Sequence, residues 1–223
     1  TAIKTTVADG VATIPADGML STAALNNAIK ASDALTFFME FKADYVLGSD
    51  VWHSLFWIFE VARVAPLKAS GAFSTVSQVT GNISTDPLCD TDPNNEPFAG
   101  DWVRLAYVID AGTKQVTLLW SADGGNTWKS RTTTFAGNLS SANGVQIGHN
   151  INRGLTLAVN EVRLYSAALD IDAVKAIVPN RAETEVAADA NLTLHYDFIG
   201  STDEEKLTDK VSGQNRLTLA STG

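Results

Sequence analysis

The chain has 223 residues, with 25 carboxylates against 16 Lys and Arg, a formal net charge of −9 and a pI near 4.7. That acidity excludes nucleic acid and anionic membrane surfaces as partners, because both select a basic footprint, and it leaves neutral ligands open. The lone Cys89 excludes an internal disulfide and a Cys-based zinc site, and without an apolar run of about 18 residues no membrane insertion is expected. The first residues lack a charged region followed by an apolar one, so no signal peptide is expected in this chain.

Taken in order, Ala2–Ala8 and Val11–Ile14 flank Asp9-Gly10, a two-residue hairpin signal. Ser21–Ala31 interrupts the β pattern; Ser21 or Thr22 can cap a short helix carrying Ala23, Leu25, Ala28 and Ile29, although a loop would read similarly. Leu35–Phe41 places Leu35, Phe37, Met39 and Phe41 on one face of a half-buried strand. Val51–Val61 is apolar on both faces, and its β-branched and aromatic content favours a strand covered on both sides. Ala72–Thr80 reads as a more polar strand. Gly81–Gly100, with three prolines and many Asp, Asn and Thr, reads as a long loop, a kind that is usually functional or disordered.

Trp102–Asp110 and Lys114–Ser121 alternate clearly and are joined by Ala111-Gly112-Thr113. Val103, Leu105, Tyr107 and Ile109 share a face, as do Val116, Leu118 and Trp120. After a turn over Ser121–Thr127, Trp128–Phe135 returns as a strand. Val145 and Ile147 mark another strand, and a polar loop follows. In the next strand Val159, Glu161, Arg163 and Tyr165 alternate with Asn160, Val162 and Leu164. Ile171–Val178 makes a short amphipathic helix before Pro179, Arg181–Ala190 is polar and acidic, and Leu192–Ile199 and Arg216–Ala220 close the series. Roughly a dozen strands and one or two short helices predict an all-β, two-sheet antiparallel sandwich.

The run GDWVRLAYVIDAGTKQVTLLWSADG, then VQIGHN, then NEVRLYSAALD followed by Ile171, Asp172 and Val174, resembles the laminin-G-like, or concanavalin A-like, lectin jelly-roll superfamily. In that family a Trp opens one strand and the next ends at a hairpin Gly. A Val-x-Ile-Gly strand follows, and then an acidic-Val-Arg-hydrophobic-Tyr strand leads into a helix. The resemblance implies a jelly roll, in which Trp102 and Trp120 are expected as packing residues. It covers about a third of the chain well, and Asn160 stands where the family usually has Asp. The C-terminal LTLHYDFIGSTDEEKLTDKVSGQNRLTL looks like the opening strand and Asp-x-x-Ser-Gly loop that such domains carry at the N-terminus. The reading taken is a single domain over 1–223 with residues 190–223 closing the same sheet, and the alternative is the start of a second repeat.

Ser121-Ala122-Asp123-Gly124-Gly125-Asn126-Thr127-Trp128 matches the hairpin known in sialidases as the Asp box. There it is a folding device, and a sialidase propeller needs several boxes and an arginine cluster, whereas this chain has one box. Asp90, Asp92, Asn94 and Glu96 offer oxygens at alternate positions, a spacing with which a curved loop can hold Ca²⁺ among about six to eight oxygens. Rim calcium also occurs in the resembled family. Sugar binding needs flat aromatics and planar hydrogen-bonding groups; the candidates are Trp52, His53, Trp57, Trp128, His149, Asn150, Asn152 and Arg153. Burial competes with that role at Trp52 and Trp57, and turn formation competes with it in the loop from His149 to Arg153.

Retaining glycosidases need two carboxylates on one face. The Glu-x-Asp-x-x-Glu run of glucanases on this fold is missing, and Glu40, Glu60, Glu161 and Asp197 lie on separate strands. The Gln-x-His of lyases on this fold is missing as well, although His195 and Tyr196 stand together. The expected function is therefore a non-catalytic carbohydrate-binding, lectin-like module of a larger extracellular or surface protein, possible with calcium assistance, whose partner is a glycan or polysaccharide. The alternatives are a structural or protein-binding module, such as a surface or viral fibre component, and a glycan-cleaving enzyme. The sequence fixes no oligomeric state.

Overall fold

The computed structural model of the chain describes residues 5–15, 18–23, 25, 27–44, 55–58, 62–66, 73–79, 82–84, 102–134, 137–148, 156–179 and 190–221. The first half carries β1 (Thr6–Ala8), β2 (Val11–Ile14), β3 (Gly18–Thr22), α1 (Asn27–Ala31), β4 (Ala34–Asp44), β5 (Phe56–Ile58), β6 (Ala62–Pro66), β7 (Phe73–Val79) and β8 (Asn82–Ser84). After these come β9 (Trp102–Asp110), β10 (Gln115–Ser121), β11 (Lys129–Thr134), β12 (Val145–Gly148) and β13 (Thr156–Tyr165). The series ends with α2 (Ile171–Lys175), β14 (Leu192–Tyr196), α3 (Asp203–Lys206) and β15 (Thr218–Ser221).

The strands form two antiparallel sheets. The first runs β1-β2-β13-β4-β9-β10-β11, with β14 also on β13, and the second runs β15-β3-β12-β5-β6-β7-β8. The chain is thus the all-β sandwich that its alternation predicts. Strand β4 shows why: Leu35, Phe37, Met39, Phe41 and Ala43 all point into the space between the sheets and are buried there. Phe37 stacks on Phe56 of β5 with ring centroids 3.9 Å apart, and Tyr107 meets Phe56 edge-on at 5.9 Å. These contacts tie the two sheets together, since aromatic pairs add to plain area burial.

A second, smaller core lies on the other side of the first sheet. Phe38, expected on the solvent side of its strand, is fully buried with Ala106, Val108, Leu119 and Tyr165 beneath Val174 and Ile177. Helix α2 supplies Val174, and Asp170 caps it by accepting a hydrogen bond from the Ala173 amide at 2.8 Å.

Two local expectations are corrected. Ser21 and Thr22 cap no helix: they lie in β3, which pairs with both β12 and β15, and helix α1 starts later, at Asn27. In β13 the strict alternation breaks at a bulge between Val159 and Glu161. Val159, Val162 and Leu164 therefore all face the main core, while Glu161, Arg163 and Tyr165 face outward. Asn160 is the extra residue of that bulge.

The N- and C-terminal stretches meet on one edge of β13. Strand β2 pairs with its first half and β14 with its second. At the junction the Gly10 amide donates to the Phe198 carbonyl at 2.8 Å, and the Gly200 amide to Asp9 Oδ1 at 3.2 Å. Gly10 turns the β1–β2 hairpin at φ +79°, a conformation that suits glycine. In the Asp-x-x-Ser-Gly loop, Asp209 is fully buried and accepts from the amides of His195, Val211 and Ser212 and from the Ser212 hydroxyl.

Candidate functional site

The outer face of the second sheet is built from its central strands. In β5, Phe56 and Ile58 fill the core, so period-two alternation turns Trp57 outward, where it is half-buried. In β12, Val145 and Ile147 face the core, and Gln146 lies on the same outer face as Trp57. The register makes a row across five strands, with Thr218 opposite Ser21, Ser21 opposite Gln146, Gln146 opposite Trp57, and Trp57 opposite Arg63. Gln146 is buried, and its Nε2 donates to the Gly148 carbonyl at 2.9 Å, which fixes the orientation of its amide plane. An indole flanked in register by an amide can accept a sugar ring and its hydroxyls.

The end of these strands is tightly built. The Gly148 amide donates to the Leu55 carbonyl at 2.9 Å. Gly148 sits at φ +77°, and a Cβ there would lie 2.8 Å from the Gly18 carbonyl oxygen, so only glycine fits. Of the sequence-predicted sugar contacts, Trp57 and Trp128 are described. Trp52, His53, His149, Asn150, Asn152 and Arg153 lie outside the described residues, as do the calcium candidates Asp90, Asp92, Asn94 and Glu96. Among the described residues no group of three or more His, Cys, Asp or Glu side chains is placed to hold a metal.

Trp128 closes the Asp-box turn. Its Nε1 donates to the Gly125 carbonyl at 3.0 Å, and its ring packs against the smaller core. Asp123 organises the turn: it accepts from the Ser121 and Thr127 hydroxyls at 2.8 and 2.6 Å and from the Thr127 amide at 2.9 Å. The Thr127 hydroxyl, the Thr127 amide and then the Ser121 hydroxyl hold its carboxyl down at a pKa of about 2.

The outer face of the first sheet carries a sealed charge cluster. Arg163 Nε donates to Glu161 Oε1 at 2.5 Å, its Nη1 to the Tyr165 hydroxyl at 3.2 Å and its Nη2 to the Val178 carbonyl at 2.9 Å. His195 Nε2 meets the same Glu161 oxygen at 2.6 Å. A carboxylate paired with Arg163 accepts, so His195 carries its proton on Nε2. Burial opposes the charge on Arg163, but the Coulombic pull of Glu161 and the Tyr165 hydroxyl outweigh it and raise its pKa. Glu161 and Arg163 are 0% exposed and His195 is 1% exposed. No substrate reaches these groups, and the cluster works as a fastener between β13, β14 and the segment after α2.

Sequence reasoning passed over Gln146, whose place between Val145 and Ile147 was the available signal. It also assigned Trp102 to packing, whereas the indole is 39% exposed. Because Val103, Leu105, Tyr107 and Ile109 already occupy the buried face of β9, alternation alone places Trp102 on the opposite one. Trp120 is buried, as expected.

Neither a family model nor a curated protein matches the sequence. Solved structures do match. A Bacteroides ovatus protein with a suggested carbohydrate-binding role superposes with a TM-score of 0.59 at 17% identity, covering 98% of this chain and 60% of that one. The binding domain of botulinum neurotoxin DC in complex with SialylT gives 0.56 at 7% identity, covering 77% and 44%. The CBM2 module of the evolved Dit protein of Lactobacillus casei BL23 phage J-1 gives 0.50 at 13% identity, covering 76% and 82%. The chain therefore spans about 60% of the first of these proteins. At such identities the likeness establishes the fold alone, a two-sheet jelly-roll sandwich.

Proposed function

We propose that the chain is a non-catalytic carbohydrate-binding domain that receives its glycan on the outer face of the second sheet. The row Ser21–Gln146–Trp57 carries this reading, because it sets an indole beside an oriented amide on strands rather than on loops.

The fold neighbours support the class of ligand. One has a suggested carbohydrate-binding role, one is named a CBM2 module, and one is a toxin binding domain in complex with SialylT. Kinship with the laminin-G-like branch in particular belongs to this proposal, as does a single domain over 1–223 in which β14 and β15 complete both sheets. The setting proposed is secreted or cell-surface; among the described residues no helix is long and apolar enough to cross a membrane. Calcium enters only through the oxygens of Asp90, Asp92, Asn94 and Glu96. Those residues fit a hard cation by chemistry, and no step of recognition is routed through it.

A glycan array read with and without chelator tests the proposal. Binding to a defined glycan class that is lost in Trp57→Ala supports it, and a blank array for a folded protein opposes it. Loss on chelation would assign a role to calcium, while unchanged binding would remove the metal from the account.

A further inference from the structure

The exposed Trp102 does not stand alone. Across the β4–β9 ladder it lies opposite Lys42, and the next outward pair is Glu40 opposite Arg104. Arg104 Nε donates to Glu40 Oε2 at 2.8 Å, with the two side chains 21% and 12% exposed. Glu40 Oε1 accepts from Asn160 Nδ2 at 2.7 Å. Asn160, the bulge residue of β13, is 8% exposed, and its Oδ1 has no hydrogen-bond partner among the described residues. Beyond Arg104, the Asp-box turn closes in: a Cβ on Gly125 would lie 2.7 Å from Arg104 Nη1. The guanidinium is thus held between Glu40 and a glycine that leaves room for it.

We infer that this patch, on the face of the sandwich opposite Trp57, is a second saccharide site selective for sugars that carry a carboxylate. A large indole left exposed at the start of β9 offers the apolar platform that a pyranose face needs. Glu40, Arg104 and Asn160 orient one another before any ligand arrives, so binding orders few side chains. Arg104 is offset by Glu40, whereas the exposed Lys42 has no ion pair among the described residues. In a chain of net charge −9 that single ammonium beside the platform selects an anion. Asn160, largely buried, serves the patch by holding Glu40 in place through its Nδ2. The site is independent of the one proposed at Trp57.

The test uses the full chain labelled at the indole Nε1 and titrated by NMR with 3′-sialyllactose, with trigalacturonic acid and with lactose as the neutral control. The Trp102 indole resonance is expected to shift and saturate with at least one acidic sugar, and which one responds identifies the source of the carboxylate. Trp102→Ala should weaken that binding at least about tenfold. Lys42→Gln should weaken it about two- to fivefold, the range of an exposed ion pair, and should abolish the preference over lactose. Trp57→Ala should leave both unchanged, which separates a failure here from a failure of the first site. Both Trp102 and Lys42 are exposed, so their variants are expected to keep the wild-type melting temperature. A Trp102 resonance unmoved by either acid, a Trp102→Ala protein that titrates like wild type, or equal affinity for lactose would overturn the inference.

Discussion

Replacing Arg163 by Leu tests the assignment of the sealed cluster as a fastener. The substitution removes three hydrogen bonds, to Glu161, Tyr165 and the Val178 carbonyl. It leaves Glu161, 0% exposed, with His195 Nε2 but without the guanidinium of Arg163. Removing one partner of a buried ion pair costs about 3–5 kcal/mol, most of it the price of stranding the other charge. For a chain of this length that corresponds to a fall in Tm of roughly 6–20 °C, at about 2–4 °C per kcal/mol. Replacing both members, Glu161→Leu with Arg163→Leu, removes the stranded charge, so the double variant should lose less than the sum of the singles. A coupling of about 1–3 kcal/mol is expected from the double-mutant cycle. Calorimetry and urea unfolding of the four proteins read it directly. A change of less than about 2 °C for Arg163→Leu, or strict additivity in the cycle, would refute the reasoning.

Other expectations follow from the same geometry. Phe56→Ala opens a void against Phe37 and Tyr107 and should cost about 3–5 kcal/mol in urea unfolding, whereas a cost below about 1 kcal/mol would deny Phe56 its place between the sheets. Gly125→Ala combines φ +92° with a methyl 2.7 Å from Arg104 Nη1 and should destabilise by about 1–3 kcal/mol; wild-type stability would contradict that crowding. Asp123 has a depressed pKa, so its contribution is present above the unfolded Asp value near 3.9 and fades as pH falls through about 2. A carboxyl ¹³C titration with a midpoint near 4 would count against the turn as described. For Tyr196, burial and then Asp209 raise the pKa above the ordinary phenol value, so its contribution is present below about pH 10 and lost as pH rises beyond it. Tyr196→Phe should flatten that alkaline fall in urea midpoint, and an unchanged slope would speak against it.

The sandwich was legible because strands buried on one face write a period of two into the sequence. Leu35, Phe37, Met39 and Phe41 in β4 and Val103, Leu105, Tyr107 and Ile109 in β9 all enter the core as their alternation predicts. What alternation could not reveal is which outward residues another element would cover. Phe38 read as a solvent-side residue until α2 closed over it, and the alternation of Glu161 and Arg163 gave no sign that both would be fully buried. The bulge at Asn160 was invisible for a related reason. One extra residue shifts the register of everything before it, and only the pairing with β4 shows where the shift falls. The site was legible in parts. Trp57 could be proposed from its residue type, but Gln146, Ser21 and Arg63 become its neighbours only through the order β3-β12-β5-β6, which joins strands far apart in the chain.

The central claim is that a glycan rests on Trp57 and its row. It is tested most directly by isothermal titration of wild type and Trp57→Ala with the strongest glycan from an array, alongside their melting temperatures. The account predicts at least about a tenfold loss of affinity in Trp57→Ala, with melting temperatures within about 2 °C of each other. Undiminished binding by a folded Trp57→Ala protein would contradict it.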